Sequence, residues 1–591
     1  MMRMCGILGY VGHDDVREIM LRGLKRLEYR GYDSAGVAVV SDAGVQVFKS
    51  QGKTSNLRQT DFIHTTSTVG IGHTRWATQG CVNLNNAHPH QSQSGRFTLV
   101  HNGVIQNEAT LRVNYLADYP FKSETDSEVI VGLMDHFAKE LPEADGIIQK
   151  LLTVLKGSYA FAVIDGLNPD VVYAVKNKAP LLIGVGVGFH MLGSDALSMS
   201  HCTKEFFVTD NKEYVKLGKN EVLFFNAAGE QVKKTAFTID FNKHSMSKED
   251  YPNHLLKEIH EQPKMIKRLV KAYMGEPERH EQLLSYFKGA DRIYFVAGGT
   301  SLQSCAVGKA LFEEIADIPV EVHMASEFAH HLPLLTKKPL FILVSASGES
   351  ADGRGALLAL KKRGFPVISM TNTLGSTLAR DADAHIYLDV GCEIAVTTTK
   401  TYLAQLTLFA ILAGMLAKNP TFDVTEELMR VSMTIGTMIE SKSLYEEVAN
   451  TYLTGDNLIY LGRHLDRYTA AEGALKLKEL AYLHATGIAG GELKYGDLAL
   501  IDENTVTISL LSDDVVSATM RGNMEVAKAR GAKNLSIVMS CVSREDDTII
   551  VGDVHPLLTP MVMIIPLQFL AYYAGIKRGT DVDRPRHLAK L

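Results

Sequence analysis

The pattern of apolar and polar positions changes near the middle of the chain. Up to about residue 240, short apolar runs such as AGVAVV, RFTLVHNGVI and EVLFFN alternate with turns, which is typical of β-strands. The segment DVREIMLRGLKRLEYRG is the clear exception, because its apolar residues recur at helical spacing and it ends at Gly31. The first part of the chain is therefore predicted to be a strand-rich α+β domain.

The second part of the chain repeats a pattern of strand, turn and helix. The runs RIYFVAGGTS and PLFILVSASGES each place an apolar strand before a turn rich in glycine or hydroxyl groups. The same pattern returns about 165 residues later in NLIYLGRHLD and TVTISLLSDD. This repetition predicts an internal duplication of a doubly wound α/β domain, in which ligands bind beyond the carboxyl ends of the strands.

The domain order follows from these patterns and from the length of 591 residues, which is too long for one hydrophobic core. We predict a first domain at 5–228 and a polar, later helical, linker at 229–277. Two α/β domains are then predicted at 278–425 and 445–581, followed by a C-terminal tail at 582–591.

Composition and charge narrow the class of protein. A net charge of -6 leaves no basic excess to neutralise phosphates, so nucleic acid is not an expected partner. The six cysteines are scattered and lack the spacing of metal ligands, which is typical of reduced thiols. The opening apolar run CGILGYVG ends at the charged HDD, and the run PLLTPMVMIIPLQFLAYYAG is interrupted by Pro560 and Pro566. We therefore expect a cytoplasmic protein, without a metal and without a membrane span, whose longest apolar segment is a buried core helix.

Two turns of the second part are candidate phosphate sites. Residues 345–350, SASGES, and residues 298–301, GGTS, each follow an apolar strand and open a helix, where backbone N–H groups attract an anion. Serine and threonine are also ordinary helix caps, so one such turn alone would be weak evidence. Two of them in one domain favour a sugar phosphate or a similar ligand. The sequence has neither the P-loop nor the dinucleotide-binding motif, which disfavours an NTPase or a dinucleotide enzyme.

The segment EGALKLKE places Glu472, Lys476 and Glu479 on one face of a predicted helix. An isolated helix with this pattern would more often carry a solvated row of salt bridges. Here the helix follows directly on a strand end, where a ligand would lie. A carboxylate beside an amine at that position suits proton abstraction next to a carbonyl.

These motifs, taken in order along the chain, resemble one enzyme family. The runs CGILGYVG, LKRLEYRGYDSAG, HTRWAT, NAHPH, HNGVIQN, SETDSEVI, GGTS, SASGES, EGALKLKE, GELKYG and GTDVDRPRHLAK are similar to those of the isomerising glutamine–fructose-6-phosphate aminotransferases. The resemblance implies an N-terminal-nucleophile glutaminase domain of αββα architecture followed by two doubly wound sugar isomerase (SIS) domains. It implies no metal, nucleotide or pyridoxal cofactor.

On the glutamine side, the resemblance implies that Cys5 attacks the side-chain amide of glutamine. A free α-amine, with a pKa of about 7.7–8.0, would accept the thiol proton. Asn102 and Gly103 match the oxyanion hole, Arg75 the group that binds the glutamine carboxylate, and Asp126 the group that binds its α-amine. The remaining positions that the resemblance assigns to this site are Trp76 on a loop that closes over glutamine, Thr78, and His88 as structural support.

On the sugar side, the resemblance implies a phosphate cradle, a proton-transfer base and an imine-forming lysine. The phosphate positions are Thr300, Ser301, Ser345, Ala346, Ser347 and Ser350. Val396 and Ala589 match backbone contacts to the sugar, Glu479 matches the base with Lys476 beside it, and Lys590 matches the lysine that forms a Schiff base. Tyr495 stands where the family usually has the histidine that opens the sugar ring, and Ala346 stands where it usually has glutamine.

The expected activity is hydrolysis of L-glutamine coupled to conversion of fructose 6-phosphate into glucosamine 6-phosphate, in a homodimer formed through the isomerase half. Ala346 and Tyr495 leave open a paralogue that aminates another keto-sugar phosphate, or one with a weakened isomerase half. A sugar-phosphate-binding regulator is disfavoured because Lys476, Glu479 and Lys590 are retained. An amidotransferase acting on phosphoribosyl pyrophosphate is disfavoured because the second half lacks an acidic pair beside a pyrophosphate loop.

The first four residues conflict with the proposed nucleophile. With Met1 to Met4 attached, the amine of Cys5 would be locked in a peptide bond and would lose its basicity. We therefore expect that translation starts at Met4 with removal of that methionine, or that the first four residues are cleaved.

Overall fold

The computed structural model describes residues 5–239, 247–275, 277–455 and 457–590. The expected processing before Cys5 lies outside these described residues. The chain divides into two compact units, with the division between residues 241 and 242.

The first unit is built on two sheets of antiparallel strands. Its strands β1 to β15 are Gly6–Val11, Ser34–Ser41, Gly44–Gln51, Val69–Arg75, His90–Gln91, Phe97–Ile105, Gly157–Asp165, Val172–Asn177, Leu182–Gly186, Phe189–Gly193, Glu205–Val208, Glu213–Leu217, Val222–Phe225, Gln231–Val232 and Phe237–Thr238. Its helices α1 to α5 are Val16–Leu27, Glu108–Tyr115, Asp126–Phe137, Ala144–Val154 and Ala196–Met199. The strand orders are β15-β11-β9-β10-β1-β4-β2-β3 and β14-β13-β12-β8-β7-β6-β5.

The two sheets pack face to face with helices on their outer surfaces. Successive residues of a strand point to opposite faces. Ile7 of β1 and Val100 of β6 therefore enter the apolar layer between the sheets. Their neighbours Leu8 and Leu99 instead pack with residues of α1 and of α3 and α4, respectively. Helix, sheet, sheet and helix follow in layers, so the predicted αββα architecture is confirmed.

The second unit contains two parallel sheets that share one topology. Its strands β16 to β25 are Arg292–Ala297, Val320–Met324, Pro339–Val344, Val367–Thr371, Ala384–Tyr387, Asn457–Gly462, His484–Ala489, Val506–Leu511, Lys533–Met539 and Ile549–Val551. The sheet orders are β17-β16-β18-β19-β20 and β22-β21-β23-β24-β25. Each is the order 2-1-3-4-5 of a doubly wound fold, and the predicted duplication is thereby confirmed.

The helices of the second unit cover both faces of each sheet. Helices α6 to α17 are His254–Met274, Glu281–Gly289, Thr300–Ala316, Ala325–Phe328, Ala351–Lys361, Thr377–Asp381, Lys400–Leu416, Val424–Glu440, Lys442–Tyr452, Asp466–Ala481, Asp514–Lys528 and Thr559–Lys577. Helix α8 packs on α12 and on α15, and α15 packs on α17. The contact between α8 and α15 joins the two halves of the duplication within this unit.

The apolar segment at Pro556–Lys577 is long and apolar enough to cross a membrane by composition. In the structure, 89% of its most apolar window is buried inside the protein. Its residues Ile564, Leu567 and Phe569 join the core of the second unit. The prediction of a buried core helix agrees with this placement.

The segment at 229–277, predicted as a linker, contains regular structure in its described part. Strands β14 and β15 pair in the two sheets of the first unit. Helix α6 packs against α12 and α13 of the second unit. The predicted domain boundaries themselves stay predictions.

Candidate active site

Cys5 lies directly before β1, and its thiol is bracketed by the backbone of Trp76. The Trp76 N–H donates to Sγ at 3.2 Å, and the thiol donates to the Trp76 carbonyl oxygen at 3.3 Å. Burial raises the pKa of the Cys5 thiol to about 11, although Arg75 opposes the shift. The thiol is therefore protonated near neutrality, and its use as a nucleophile needs a nearby base.

The side-chain amide of Asn102, within β6, is held at its oxygen by His73. Nε2 of His73 lies 3.0 Å from the backbone carbonyl oxygen of His101 and 3.0 Å from Oδ1 of Asn102. Because a carbonyl oxygen only accepts, Nε2 carries the proton and donates to both atoms. Burial lowers the pKa of His73 to about 3, so the ring stays neutral.

The amide nitrogen of Asn102 consequently faces the nucleophile. Nδ2 donates to the Cys5 carbonyl oxygen at 2.8 Å and to Oγ of Ser194 at 2.9 Å. The Ser194 hydroxyl also accepts the N–H of Ile7 at 2.8 Å, which ties this residue to β1. The amide nitrogen is thus held beside the backbone of Cys5 with both of its N–H groups donating to protein oxygens, and one of them has to turn to the substrate if it is to stabilise an oxyanion.

Gly103 follows Asn102 and has a backbone conformation that other residues rarely adopt. Its φ is +125°, and an added Cβ would lie 2.0 Å from the Ser158 carbonyl oxygen. Only glycine fits this close approach of β6 to β7, which sets the direction of the Gly103 N–H.

Arg75 and Asp126 are both buried charged residues close to the nucleophile. The Arg75 guanidinium donates to the carbonyl oxygens of Gln79 and Cys81, at 2.6 and 3.1 Å, and so holds the loop that follows β4. Asp126 is the first residue of α3, and its Oδ2 accepts the N–H of Ile105 at 2.7 Å. Arg75 directly precedes Trp76, whose backbone brackets the thiol. The charge of Arg75 lowers the pKa of the Cys5 thiol and that of Asp126 raises it.

The other positions assigned to the glutamine site differ in exposure. Trp76 is 3% exposed and packs edge-on against Tyr32. Thr78 is exposed on the same loop. His88 is buried and stacks on His73 with ring centroids 4.0 Å apart, while its Nδ1 accepts the N–H of His101 at 3.2 Å. Burial holds the pKa of His88 well below its usual value, so this ring supports its neighbours as a neutral group.

The two candidate phosphate turns lie side by side at the switch point of the first parallel sheet. They follow β16 and β18, which are adjacent strands whose helices lie on opposite faces. Ser345 and Ser347 accept the N–H groups of Gly348 and Glu349 at 3.1 Å each, so these hydroxyls fold the second turn. The amide of Gln405 donates to Oγ of Ser301 at 2.9 Å. Ala346 is half-buried in this turn, and Ser350 immediately precedes α10.

Glu472, Lys476 and Glu479 of α15 form a buried ionic cluster. Nζ of Lys476 lies 3.2 Å from Oε1 of Glu472 and 3.0 Å from Oε2 of Glu479. It also donates to Oγ1 of Thr300, in the first phosphate turn, at 3.0 Å. The side chains of Glu472 and Lys476 are 1% exposed, so the alternative of a solvated row of salt bridges is wrong for them. Burial raises the pKa of Glu472 to about 7.

Lys590 is held by a second cluster in the same unit. Its Nζ donates to Oε2 of Glu393 and to the carbonyl oxygen of Ala395, at 2.7 Å each. Glu393 also accepts two backbone N–H groups and the hydroxyl of Thr401. The positive charge of Lys590 lowers the pKa of Glu393 despite its burial, so Glu393 stays ionised.

Val396 and Ala589 lie next to these groups in the sequence. The Val396 N–H donates to the carbonyl oxygen of Asp583 at 2.9 Å, which joins the loop to the C-terminal tail. Ala589, the neighbour of Lys590, is half-buried. Among the described residues, no hydrogen bond connects Lys590 to Lys476 or Glu479.

Tyr495 is exposed, whereas every other position assigned to the sugar site is buried or half-buried. Its side chain is 72% exposed, and the ammonium of Lys494 lies 5.0 Å from the centre of its ring. The structure does not bring it into hydrogen-bond contact with Lys476, Glu479 or Lys590. Its catalytic role stays a prediction.

Sequence reasoning did not find several of the residues that hold these sites. Ser194, Glu393 and Asp583 contact site residues far away in the sequence, as the 197 positions between Glu393 and Lys590 illustrate. His73 precedes Arg75 by two positions within the quoted HTRWAT. Asp583 likewise lies within the quoted GTDVDRPRHLAK. Membership of a quoted run was the available signal for these two residues, whereas Ser194 and Glu393 lie in none of those runs.

The described residues contain no group of three or more histidine, cysteine, aspartate or glutamate side chains placed to hold a metal ion.

Comparison with known proteins places both units in established families. Residues 73–198 match the glutamine amidotransferase domain family, and residues 286–415 and 454–578 match the SIS domain family. A solved structure of the C-terminal domain of glucosamine-fructose-6-phosphate aminotransferase from Francisella tularensis is 31% identical, with a TM-score of 0.54. It covers 57% of this chain and 99% of its own. Tagatose-6-phosphate ketose/aldose isomerase from Escherichia coli is 15% identical over 57% of this chain and 96% of its own, with a TM-score of 0.51, and shares the fold alone.

Full-length relatives extend the match to the whole chain. The glutamine–fructose-6-phosphate aminotransferase (isomerizing) of Geobacillus kaustophilus is 47% identical over 99% of both chains. The enzymes of the same name from Halalkalibacterium halodurans and Staphylococcus epidermidis are 45% and 44% identical, again over 99% of both chains. The chain therefore belongs to the isomerizing glutamine–fructose-6-phosphate aminotransferase family.

Proposed function

We propose that this protein hydrolyses L-glutamine and uses the ammonia to convert D-fructose 6-phosphate into D-glucosamine 6-phosphate, with L-glutamate as the second product. The full-length identity to enzymes of that name supports the overall reaction. Two observations support the residue assignment. The first unit has a thiol next to an amide nitrogen that is fixed in place, and the second unit has a buried lysine between carboxylates.

In the glutaminase half, Cys5 is the nucleophile once its α-amine is free. The neutral amine takes the thiol proton, and the sulfur attacks the side-chain amide carbon of glutamine. The amide of Asn102 and the N–H of Gly103 stabilise the oxyanion of the tetrahedral intermediate. Arg75 binds the substrate carboxylate and Asp126 its α-ammonium. Ammonia leaves, and water releases glutamate from the thioester.

In the isomerase half, Lys590 attacks the ketone carbon of the open-chain sugar, and loss of water gives an imine. The charge on Lys590 is balanced by Glu393 in the resting protein, so a proton has to leave the amine before attack. Ammonia displaces Lys590 from the imine. Glu479 then moves a proton from C1 to C2, with Lys476 holding the carboxylate in place. The turns at Thr300–Ser301 and Ser345–Ser350 bind the phosphate.

A second candidate is an enzyme of the same architecture that aminates a different keto-sugar phosphate, or whose isomerase half is weakened. Ala346 removes an amide from the phosphate turn, and Tyr495 puts a phenol where the family usually has an imidazole. These two positions are the observations that favour this candidate.

The cellular setting and assembly belong to the same proposal. We expect the enzyme to act in the cytoplasm, with small-molecule substrates and without nucleic acid or membrane as partners. We also expect a homodimer formed through the isomerase half. Sedimentation of the full chain and of Asn242–Lys590 alone would test this, because both should be dimers.

The decisive experiment supplies the purified protein with glutamine and a panel of ketose phosphates, and measures amino-sugar phosphate and glutamate separately. Synthesis from fructose 6-phosphate supports the proposed substrate. Glutamate without amino sugar from that substrate, together with synthesis from another ketose phosphate, would favour the second candidate. Lys590→Ala should abolish synthesis and retain the glutaminase; synthesis by this variant would refute the imine.

A further inference from the structure

Glu258 lies in α6, outside every motif that points to the active sites, and its carboxylate is 2% exposed. Its Oε1 accepts the backbone N–H groups of Ile394 and Ala395, the latter at 3.2 Å. Its Oε2 is buried and has no hydrogen-bond partner among the described residues. One carboxylate oxygen therefore holds two successive N–H groups of a single loop.

The peptide that Glu258 holds is the one that contacts Lys590. The carbonyl oxygen of Ala395 accepts from Nζ of Lys590 at 2.7 Å, and the next N–H, that of Val396, donates to Asp583. Asp583 in turn accepts the N–H groups of His254 and Leu255 at the start of α6, at 3.0 and 2.8 Å. The first turns of α6 thus fix the loop and the tail between which Lys590 is held.

The Glu258 carboxylate is surrounded by charged groups of both signs. It is faced by Lys590 of the tail, Lys400 at the start of α12 and Glu393 of the loop. On its own helix, Glu261 pairs with Lys400. Desolvation raises the pKa of Glu258 to about 8, against the opposing effect of Lys590 and Lys400. Burial thus disfavours the charged form of Glu258. Glu393, which accepts from Nζ of Lys590, balances the charge of that lysine, and Glu258 supplies an acceptor of defined position.

We propose that Glu258 is a positioning residue for Lys590, which by holding the 394–395 peptide orients the Ala395 carbonyl and so places the amine for attack on the sugar. This inference rests on the proposed imine at Lys590. It makes α6 part of the sugar site rather than a connection between domains.

The test compares Glu258→Ala with Glu258→Gln, since glutamine keeps an acceptor oxygen but never carries charge. Each protein is mixed with fructose 6-phosphate and borohydride, and the reduced sugar on Lys590 is measured by peptide mass. Glu258→Ala should lower both the trapped fraction and kcat of synthesis by about tenfold or more, because small displacements of a reacting group are costly. Glu258→Gln should restore both to within about threefold of wild type, and the glutaminase should be unchanged in both.

The control is Glu313→Ala, which removes a half-buried carboxylate of α8 that, like Glu258, accepts a backbone N–H, here that of Val320. It should trap sugar like wild type. If Glu258→Ala does not fold, Glu258→Leu fills the same space without an acceptor and should lose trapping equally.

Normal trapping by a folded Glu258→Ala or Glu258→Leu would overturn the role of Glu258 and leave the proposed imine at Lys590 unaffected. A loss in Glu258→Gln as large as that in Glu258→Ala would also overturn it, because the charge and not the acceptor would then matter. No sugar on Lys590 of the wild-type protein would refute the proposed imine, and the role of Glu258 with it.

Discussion

Replacing His73 with leucine should impair glutamine hydrolysis although His73 itself does not face the thiol. The side chain donates from one nitrogen to the His101 carbonyl oxygen and to Oδ1 of Asn102, both at 3.0 Å. Leucine fills a similar space but donates to neither. Oδ1 of Asn102 then has no donor, and the contact of Nδ2 with the Cys5 carbonyl oxygen is left to hold the orientation of the amide.

The size of the effect follows from these two contacts. A buried acceptor left without a donor costs about 1–3 kcal/mol, so stability should fall measurably. A flipped amide would present oxygen instead of nitrogen to the oxyanion, and loss of one such donor typically costs about 10²–10³ in kcat. We expect about a hundredfold lower kcat for glutaminase, with little change in KM because Arg75 and Asp126 are untouched.

The assay is glutamate release from glutamine by folded variants, with thermal unfolding measured in parallel. His73→Gln, whose amide can donate, should recover part of kcat. His201→Leu is the matched control, because it removes a half-buried imidazole of the same unit whose Nε2 donates to the Ile19 carbonyl oxygen at 3.2 Å. A stable His73→Leu protein with wild-type kcat would refute the reasoning.

Three further predictions concern Gly103, Asp466 and the start of the chain. Gly103→Ala should lower the thermal midpoint and the glutaminase, because its Cβ meets the Ser158 carbonyl oxygen; Gly95→Ala, also at positive φ but with nothing within 4 Å, should cost far less. Burial raises the pKa of Asp466 in the folded protein to about 7. The folded protein therefore loses stability as pH rises from about 4, where the carboxyl of the unfolded chain ionises, to about 7. Asp466→Asn should therefore gain stability relative to wild type between pH 4 and pH 8, by up to about 4 kcal/mol; a difference independent of pH would contradict this. Intact-mass analysis of active protein should show Cys5 as the first residue, and an active chain that begins at Met1 would disprove the expected processing.

Local pattern was sufficient for the strand-rich class of the first unit and for the duplication in the second, whereas the αββα layers of the first unit were implied by the family resemblance. Alternating apolar runs predicted the strands of the first unit, and the repeated strand–turn–helix pattern predicted two equal parallel sheets in the second. The turns at Thr300 and Ser345 fell where expected, because a glycine-rich or hydroxyl-rich turn after an apolar strand has few alternative conformations. The helical spacing of Glu472, Lys476 and Glu479 likewise predicted one ionic cluster, and the structure buries its first two members.

The pattern of apolar and polar residues could not predict which residues far apart in the sequence contact each other. Glu258 stands in a segment whose polar start favoured a linker, yet its helix is fixed by a tail carboxylate and a loop peptide. Tyr495 shows the reverse, since a motif placed it at the sugar site and its ring is exposed. In both cases the surroundings of the side chain depend on tertiary packing, which leaves no periodic trace in the sequence.

The bonds from Asp583 to the start of α6 also bear on the order in which the second unit assembles. They close a stretch of 328 residues, which contains both parallel sheets. Joining such distant points costs chain entropy that only a largely folded unit can offset. The N–H groups of His254 and Leu255 should therefore be among the last of this unit to gain protection during refolding, and hydrogen exchange at them would report each release of the segment that carries Lys590.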